Sequence, residues 1–395
     1  MEKEKGIDLL ERLKSNSLTE QVIENFRKKL ISRLKTCDKK EEEISNLFQF
    51  FESIPPTDLY NFLRFFTTKT ILDSISSGTL IQNYNSNNLV KPKQKIDIRK
   101  IRKIEDYFID CFLDGTYEYL QISPLKPLGS SYIIGKNSPY KVITTGFNSE
   151  LINDPTYSLT LEGVSRFKKE NKNDVSLFTI STSIRNQKFS NPLYLPYFKT
   201  GSGIQICKKG TTNEDFDKSI AEIINNNLKF LKYLRENGLN IGKITIQLSH
   251  GMILYKILKE QFGLQNQEVE QIVYNYRNEY GNGFSSNILK DLNIDEKYKF
   301  GIDDIKDSKY YIYFKNLINN IDMSLISNIE IDFSRLAGIG HYSGTIFTIF
   351  IEGDRGIYTD ISDGGSVNWA NELLQTKGLK QVVFGTGIEL LGKNF

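Results

Sequence analysis

The chain has 395 residues, of which 39% are hydrophobic and 25% charged, and its formal net charge is +3. This length exceeds one typical hydrophobic core and predicts two or three domains. The small net charge does not by itself indicate a nucleic-acid partner and leaves that question open. The start of the chain lacks the apolar stretch of a signal peptide, and no segment is long enough to span a bilayer, so we expect a cytoplasmic protein without a membrane partner.

The spacing of the cysteines does not favour a structural zinc site. Cys37, Cys111 and Cys207 are single and far apart, and the chain has only two histidines to complete a metal site. We therefore expect a reducing compartment and no metal centre.

Residues 1 to about 75 predict a helical N-terminal domain. Ile44, Leu47, Phe48 and Phe51 recur at helical spacing, and the segment PPTD at 55–58 restarts a helix. The aromatic side chains of this domain indicate either a core or a surface for a protein partner. Residues 76–97 are polar with weak periodicity and predict a linker. The basic run at 91–103 is either a solvated charged segment or a contact for RNA or phosphate.

Residues 98–395 alternate strand and helix patterns. A helix at 98–113 is followed by short strands, a long helix near 216–236, a helical insertion at about 251–325, and a final set of strands. Strands that are joined mainly by hairpins favour an α+β fold, an antiparallel sheet flanked by helices. One hairpin places His341 and Tyr342 between glycines, where side chains point off the sheet; a packed histidine in a glycine-rich bulge is the alternative.

Four motifs of this region resemble a class II aminoacyl-tRNA synthetase core of the histidyl type. GIGHYSGTIF resembles G-L-D-Y-Y-T-G-T-V-F, ISDGGS resembles G-G-R-Y-D, FGTGIELL resembles G-x-G-x-E-R, and ISTSIRNQ resembles a strand that ends in an arginine, Arg185. Two segments are closer to the regulatory subunit of ATP phosphoribosyltransferase, namely LSHGMIL, which contains His250, and DFSRLAG. The resemblance implies a homodimer and a small-molecule site. That site would be lined by Arg185, Arg335, His341, Tyr342, Gly344, Thr345, Gly364, Gly365, Gly385, Gly387 and Glu389, with no catalytic residue assigned.

The departures concern positive charge. Leu390, Ala337 and Ser366 stand where the family motifs carry arginines, although Arg335 is placed to substitute for one of them. Each lost charge-assisted contact costs about 1.5 to 3 kcal/mol. The chain also ends directly after the last motif, so we expect no anticodon-binding domain.

Two functions follow from the resemblance. The first is a divergent paralogue that binds an amino acid or nucleotide and acts in regulation or assembly without charging tRNA. The second is an active adenylate-forming ligase or aminoacyl transferase, which would use ATP with Mg. NDPTYS resembles the substrate segment R-P-D-x-T, but Asp154 replaces its arginine and is expected to cap a helix. Glu150 is expected to be a solvated loop acid, with contact to a ligand's amino group as the alternative.

Overall fold

The structure is a computed structural model, and it divides into two units that we treat separately. The helical unit comprises Met1–Asn87, Thr145–Asn148 and Lys259–Ile294, and the sheet unit comprises Asn88–Thr144, Ser149–Leu258 and Asp295–Phe395. The structure describes residues 28, 31–33, 41–92, 96–113, 116–135, 142–145, 148–170, 174–186, 196–265, 267–269, 271–272, 275–276, 291, 299–306, 310–332, 341–353, 356 and 358–395.

The N-terminal part of the helical unit contains α1 (Glu41–Ser53), α2 (Pro56–Ser74) and α3 (Ser77–Ser86). Phe62 of α2 contacts the rings of Phe50 and Phe51 of α1, with centroids 6.4 and 6.1 Å away. Phe50 and Phe62 nevertheless remain exposed and Phe51 is half-buried, and none of the side chains described between residues 42 and 86 is buried.

Two expected boundaries differ from the structure. The predicted linker at 76–97 contains α3, because Ser76 caps the helix by accepting from the Thr79 amide, and Leu80, Ile81 and Tyr84 recur at helical spacing. The predicted helical insertion at 251–325 is also shorter, since Asp295 onward belongs to the sheet unit and includes an edge strand at Lys299–Gly301.

The described strands of the sheet unit form one nine-stranded sheet in the order β1-β4-β5-β11-β10-β9-β6-β8-β7, and β2 and β3 form a separate pair. Only β1 with β4 and β6 with β8 run parallel. The strands are β1 (Glu118–Tyr119), β2 (Leu125–Pro127), β3 (Ser149–Leu151), β4 (Val175–Ile184), β5 (Tyr197–Cys207), β6 (Ile244–His250), β7 (Lys299–Gly301), β8 (Asn328–Asp332), β9 (Thr345–Glu352), β10 (Tyr358–Val367) and β11 (Lys380–Thr386). The remaining helices are α4 (Ile98–Leu113), α5 (Ser130–Ile133), α6 (Pro155–Lys169), α7 (Asn213–Glu236), α8 (Gly251–Phe262), α9 (Ile302–Ile305), α10 (Lys315–Asn319), α11 (Trp369–Leu374) and α12 (Ile388–Asn394). The predicted α+β fold is confirmed.

One face of the sheet, which we call the packed face, carries the main core. Alternate residues of the central strands, such as Phe178, Phe347 and Phe384, pack against buried residues of α4, α7 and α12. Gly201 leaves room for a ring of this core, since a Cβ at that position would lie 2.4 Å from Phe108. Cys111 and Cys207 are buried in the sheet unit and are not joined in a disulfide.

The opposite face, which we call the open face, is covered by apolar groups over only part of its area. α6 and α11 pack on Leu177, Ile204, Ile206 and Val383. Beyond these residues the same face continues with small and polar side chains, and it is there that the candidate site lies.

Candidate functional site

The floor of the site is a patch of the open face on four neighbouring strands. Ser181 of β4 is opposite Thr200 of β5, and Ser202 of β5 is opposite Gly385 of β11, which is opposite Asp363 of β10. Directly opposed residues of antiparallel strands point to the same face, so these five residues form one surface. Asp363 is exposed even though it lies on a central strand.

Among the described residues, little lies close above this floor. A Cβ at Gly385 would have one neighbour within 4 Å in this part of the chain, Ser202 Oγ at 3.8 Å. A Cβ at Gly364, which is on the packed face of the next strand, would lie 2.5 Å from the Val383 carbonyl oxygen. The glycine of β11 therefore keeps a hollow open beside Asp363, whereas Gly364 serves close packing.

Arg185 forms one wall of the site. It follows β4 on the same face as Ser181 and Ser183, its Nε donates to the Asn153 carbonyl oxygen at 3.3 Å, and its guanidinium lies 5.0 Å from the Phe198 ring centroid. These contacts hold a half-buried cation at the edge of the floor.

Tyr342 forms the second wall. A Cβ at Gly365 would lie 2.9 Å from Tyr342 Cδ1, so the glycine lets the ring lie against the strand. The Tyr342 hydroxyl donates to Asp363 Oδ2 at 3.2 Å. His341 contacts the Tyr342 and Trp369 rings edge to face, with centroids 4.7 and 4.8 Å away. His341 is thus packed among aromatic rings, which is the alternative that the sequence left open.

A buried polar cluster lies behind the first wall. Glu150 accepts from the amides of Gly129 and Ser131 at 3.0 and 2.8 Å, and the Lys126 ammonium lies 3.6 Å from its Oε1. Asn153 Oδ1 accepts from Lys126 and from Ser131 Oγ. The expectation that Glu150 is a solvated loop acid is wrong, because this carboxylate is only 3% exposed and its oxygens are engaged by the chain itself.

Several hydroxyl groups of the open face are buried without a hydrogen-bond partner among the described groups. They belong to Thr179, Ser181 and Ser183 of β4 and to Thr348 of β9. An unsatisfied buried hydroxyl costs about 1 to 3 kcal/mol, so a structural role alone would favour apolar residues at these positions. Each of these hydroxyl oxygens is also shielded from solvent, so they do not offer hydrogen bonds to a ligand at the surface.

Other predicted site residues lie away from the open face. Thr345 and Gly364 belong to the packed face. His250, the histidine of the LSHGMIL segment at the end of β6, lies on the same face, with its ring tilted against Tyr313 at a centroid distance of 4.6 Å. Burial lowers the pKa of His250 from 6.5 to about 4, so it is neutral at physiological pH.

Glu389, Gly387 and Gly344 lie at the ends of strands, where each makes contacts within the chain. The Glu389 carboxylate accepts from the Lys199 amide at 3.2 Å and pairs with Lys393 at 2.7 Å. The Gly387 amide donates to the Ile361 carbonyl oxygen, and a Cβ at Gly344 would lie 3.0 Å from Ser366 Cβ.

The structure also answers two further expectations. Asp154 is the N-cap of α6, since its side chain accepts from the Thr156 amide at 3.0 Å, as the sequence predicted. Arg335, together with Ala337, lies outside the described residues. Lys126, Asn153 and Asp363 were not predicted as site residues. The available signals were the position of Lys126 between two prolines in SPLKPL and the position of Asp363 directly before two glycines.

Solved structures with the same architecture are those of histidyl-tRNA synthetases and a related regulatory subunit. An ATP phosphoribosyltransferase regulatory subunit/histidyl-tRNA synthetase from Bacillus halodurans C matches with a TM-score of 0.57 and 13% identity, covering 77% of this chain and 83% of that chain. The chain therefore shares the fold of a histidyl-tRNA-synthetase-like class II core. A histidyl-tRNA synthetase from Nostoc sp. PCC 7120 matches with a TM-score of 0.55 and 14% identity over 76% and 72% of the two chains. A histidine–tRNA ligase subunit from Alicyclobacillus acidocaldarius matches with a TM-score of 0.53 and 12% identity over 76% and 94%.

The sequence itself matches no known protein-family profile and no curated protein. The structural likeness at these identities shows the fold alone, and the resemblance first indicated by four short motifs is thereby confirmed at that level.

Two positions that lack a family arginine have structural roles here. Leu390 packs against the main core, and Ser366 is buried, with its carbonyl oxygen accepting from the Ser343 amide at 2.7 Å. Within the described ranges, no group of three or more His, Cys, Asp or Glu side chains is arranged to hold a metal ion. The same ranges contain no helix that is long and apolar enough to cross a bilayer.

Proposed function

We propose that this protein is a histidyl-tRNA-synthetase-like paralogue that binds a small polar ligand on the open face and acts in regulation or assembly without charging tRNA. The observation that carries the proposal is the floor around Gly385, a hollow between Ser202 and Asp363 in the middle of a sheet. Arg185 at one wall supplies a cation for a carboxylate or phosphate, and Tyr342 with Asp363 supplies hydrogen-bonding groups at the other. An amino acid or a nucleotide has this chemistry.

The lack of charging activity follows from the missing cations. Adenylate formation develops negative charge on the phosphates of ATP, and it requires positive groups fixed in place before the reaction. Arg185 is the one cation that we find at this floor within the described residues, whereas Leu390 is used for packing. The retained Arg185 is also what favours the alternative, an active ligase that uses ATP.

The proposed setting is a cytoplasmic assembly. One structural neighbour is, by its description, a regulatory subunit of ATP phosphoribosyltransferase, which supports a protein partner here. Exposed apolar side chains of α2, such as Phe65 at 63% and Leu72 at 80%, support the helical unit as the contact. A homodimer through the sheet unit is part of the same proposal, and nucleic acid is not required by it.

The test combines activity with binding. Amino-acid-dependent pyrophosphate exchange is measured with ATP and each of the twenty amino acids, and thermal stabilisation is measured with the same compounds. We expect no exchange, and stabilisation by at least one compound that is lost in Arg185→Ala and Tyr342→Ala. Gly385→Leu, which fills the hollow, is expected to abolish binding as well.

Thr182→Ala is the matched control, because this residue lies on β4 between Ser181 and Ser183 but points to the other face. Robust exchange that disappears in Arg185→Ala would establish the ligase instead. Stabilisation that persists in Gly385→Leu would place the ligand elsewhere on the protein.

A further inference from the structure

Lys126 is a buried cation behind the candidate site. It lies on β2, and its side chain is 1% exposed. Its ammonium lies 3.6 Å from Glu150 Oε1, donates to Asn153 Oδ1, and is 4.9 Å from the centroid of the Tyr157 ring. A lysine is almost never buried to this extent unless it is paired, and here the carboxylate, the amide oxygen and the aromatic ring supply the partners.

The partners of Lys126 lead to both walls of the site. Asn153 accepts two hydrogen bonds: its side-chain oxygen accepts from the Lys126 ammonium, and its backbone oxygen accepts from Arg185 Nε. The Tyr157 ring, over which the Lys126 ammonium lies, contacts the rings of Trp369 and His341, with centroids 5.2 and 6.3 Å away. His341 in turn contacts Tyr342.

We propose that Lys126 is a positioning residue that sets the place of Arg185 and of the His341–Tyr342 wall through Asn153 and Tyr157. The proposal deepens the function proposed above, because it names the group that aligns the binding site. A side chain that is 1% exposed does not touch a ligand itself. The effect of Lys126 on ligand binding would therefore pass through Asn153–Tyr157. This segment contains the N-cap and first turn of α6, and it contacts Arg185 at one end and His341 at the other.

The charge state of Lys126 supports this role. Burial lowers the pKa of its ammonium from 10.5 to about 8, against the opposing attraction of Asp154 and Glu150. The titratable groups that face it are Glu150 on β3, Asp154 at the cap of α6, and Tyr157 on α6. Loss of the proton removes the charge that holds the Tyr157 ring and weakens the bond to Asn153, so the walls should loosen as the pH rises through this value.

The test reads the walls directly and needs no ligand. Trp369 is the single tryptophan of the chain, so intrinsic fluorescence reports on the aromatic wall. The rate at which phenylglyoxal modifies Arg185, followed by peptide mass spectrometry, reports on the other wall. In Lys126→Met we expect a shifted Trp369 emission and a roughly two- to tenfold faster modification of Arg185, the population change that loss of one hydrogen bond produces.

A pH profile separates positioning from general support of the fold. The Trp369 emission of the unmodified protein should change with a midpoint near pH 8, and this transition should be absent in Lys126→Met. Lys218→Met is the matched control, because Lys218 lies on α7, which packs on the other face of the sheet, and pairs there with Glu214. Its Arg185 rate and its pH profile should equal those of the unmodified protein.

Lys126→Met leaves Glu150 buried without its cation and is at risk of not folding. The double variant Lys126→Met with Glu150→Gln removes that charge and is expected to show the same two changes. If either variant folds by far-UV circular dichroism with the Arg185 rate and Trp369 emission unchanged, the positioning role is overturned. A flat emission between pH 7 and 9.5 in the unmodified protein would overturn it too. Failure of every compound to stabilise the protein would instead count against the proposed function, and the wall measurements would still decide the role of Lys126.

Discussion

Adding a methyl group at Gly364 and at Gly385 should have opposite effects on stability. The two glycines lie on adjacent strands, both were predicted from the sequence to line the ligand site, and neither has a positive φ angle that would strain a side chain. They differ in the face that a Cβ would occupy, because Gly364 points to the packed face and Gly385 to the open face.

The magnitudes follow from the neighbours of the added atom. At Gly364 the Cβ would lie 2.5 Å from the Val383 oxygen and 2.7 Å from two atoms of the Phe347 ring, so backbone has to move. Overpacking of this kind costs about 1 to 3 kcal/mol. At Gly385 the nearest atom is 3.8 Å away, which is ordinary contact. There the alanine restricts the unfolded chain and should stabilise by about 0.4 to 1 kcal/mol.

The assay is urea unfolding of Gly364→Ala, Gly385→Ala and the unmodified protein, followed by far-UV circular dichroism, with the midpoints compared at constant slope. Thermal melting should agree, with a change of about 2 to 4 °C for each kcal/mol in a domain of 150 to 250 residues. Equal destabilisation by both substitutions would refute the reasoning, since it would mean that no hollow exists above Gly385.

Three further outcomes are expected. The pKa of His250 falls from 6.5 to about 4 on folding, so between these pH values the unfolded chain binds a proton that the folded chain does not. The free energy of unfolding in urea should therefore decline as the pH drops from about 6.5 to 4. His250→Phe should flatten this pH dependence, and an unchanged pH dependence would contradict the burial of a neutral His250. Asp154→Ala should lower the free energy of unfolding by about 1 kcal/mol, whereas Asp154→Asn should lower it much less, because an asparagine side chain can also cap α6. Equal losses in the two variants would count against a capping role. Leu390→Arg introduces the arginine of the last family motif. Because Leu390 packs on the core, this variant should lose about 1 to 3 kcal/mol of stability and gain no pyrophosphate exchange. Exchange activity in this variant would show that a single missing cation prevents the reaction.

The fold was accessible from sequence because strand alternation and motif order are encoded locally. The arginine at the end of β4 and the tyrosine before β9 could be located for the same reason, since each lies within its own short motif. The hairpin predicted around His341 and Tyr342 is wrong, because β6 lies between β8 and β9 in the sheet and the two strands do not pair. What sequence could not supply was the face on which each motif residue points. Thr345 and Gly364 are one residue from positions on the open face, and the register that separates them becomes visible only when β9 and β10 are paired.

The buried cluster was inaccessible for a different reason. Lys126 and Glu150 are 24 positions apart in sequence, and each looks like an ordinary surface charge until β2 and β3 are joined. The helical segment at Ser77–Ser86 was missed because its many polar residues hide a weak apolar repeat, although Ser76 is a good capping residue. Long-range pairing decides the first case and local capping decides the second.

The different composition of the two sheet faces has a consequence for how this protein can diverge. The main core, which fixes the strands, lies on the packed face, while the floor on the other face is made of small side chains that contribute little apolar burial. Substitutions among the serines, threonines and glycines of the floor therefore remove few of the contacts that stabilise the fold. With such a separation, the chemistry of the floor can change through a few substitutions while the fold, which solved structures share at 12 to 14% identity, is kept.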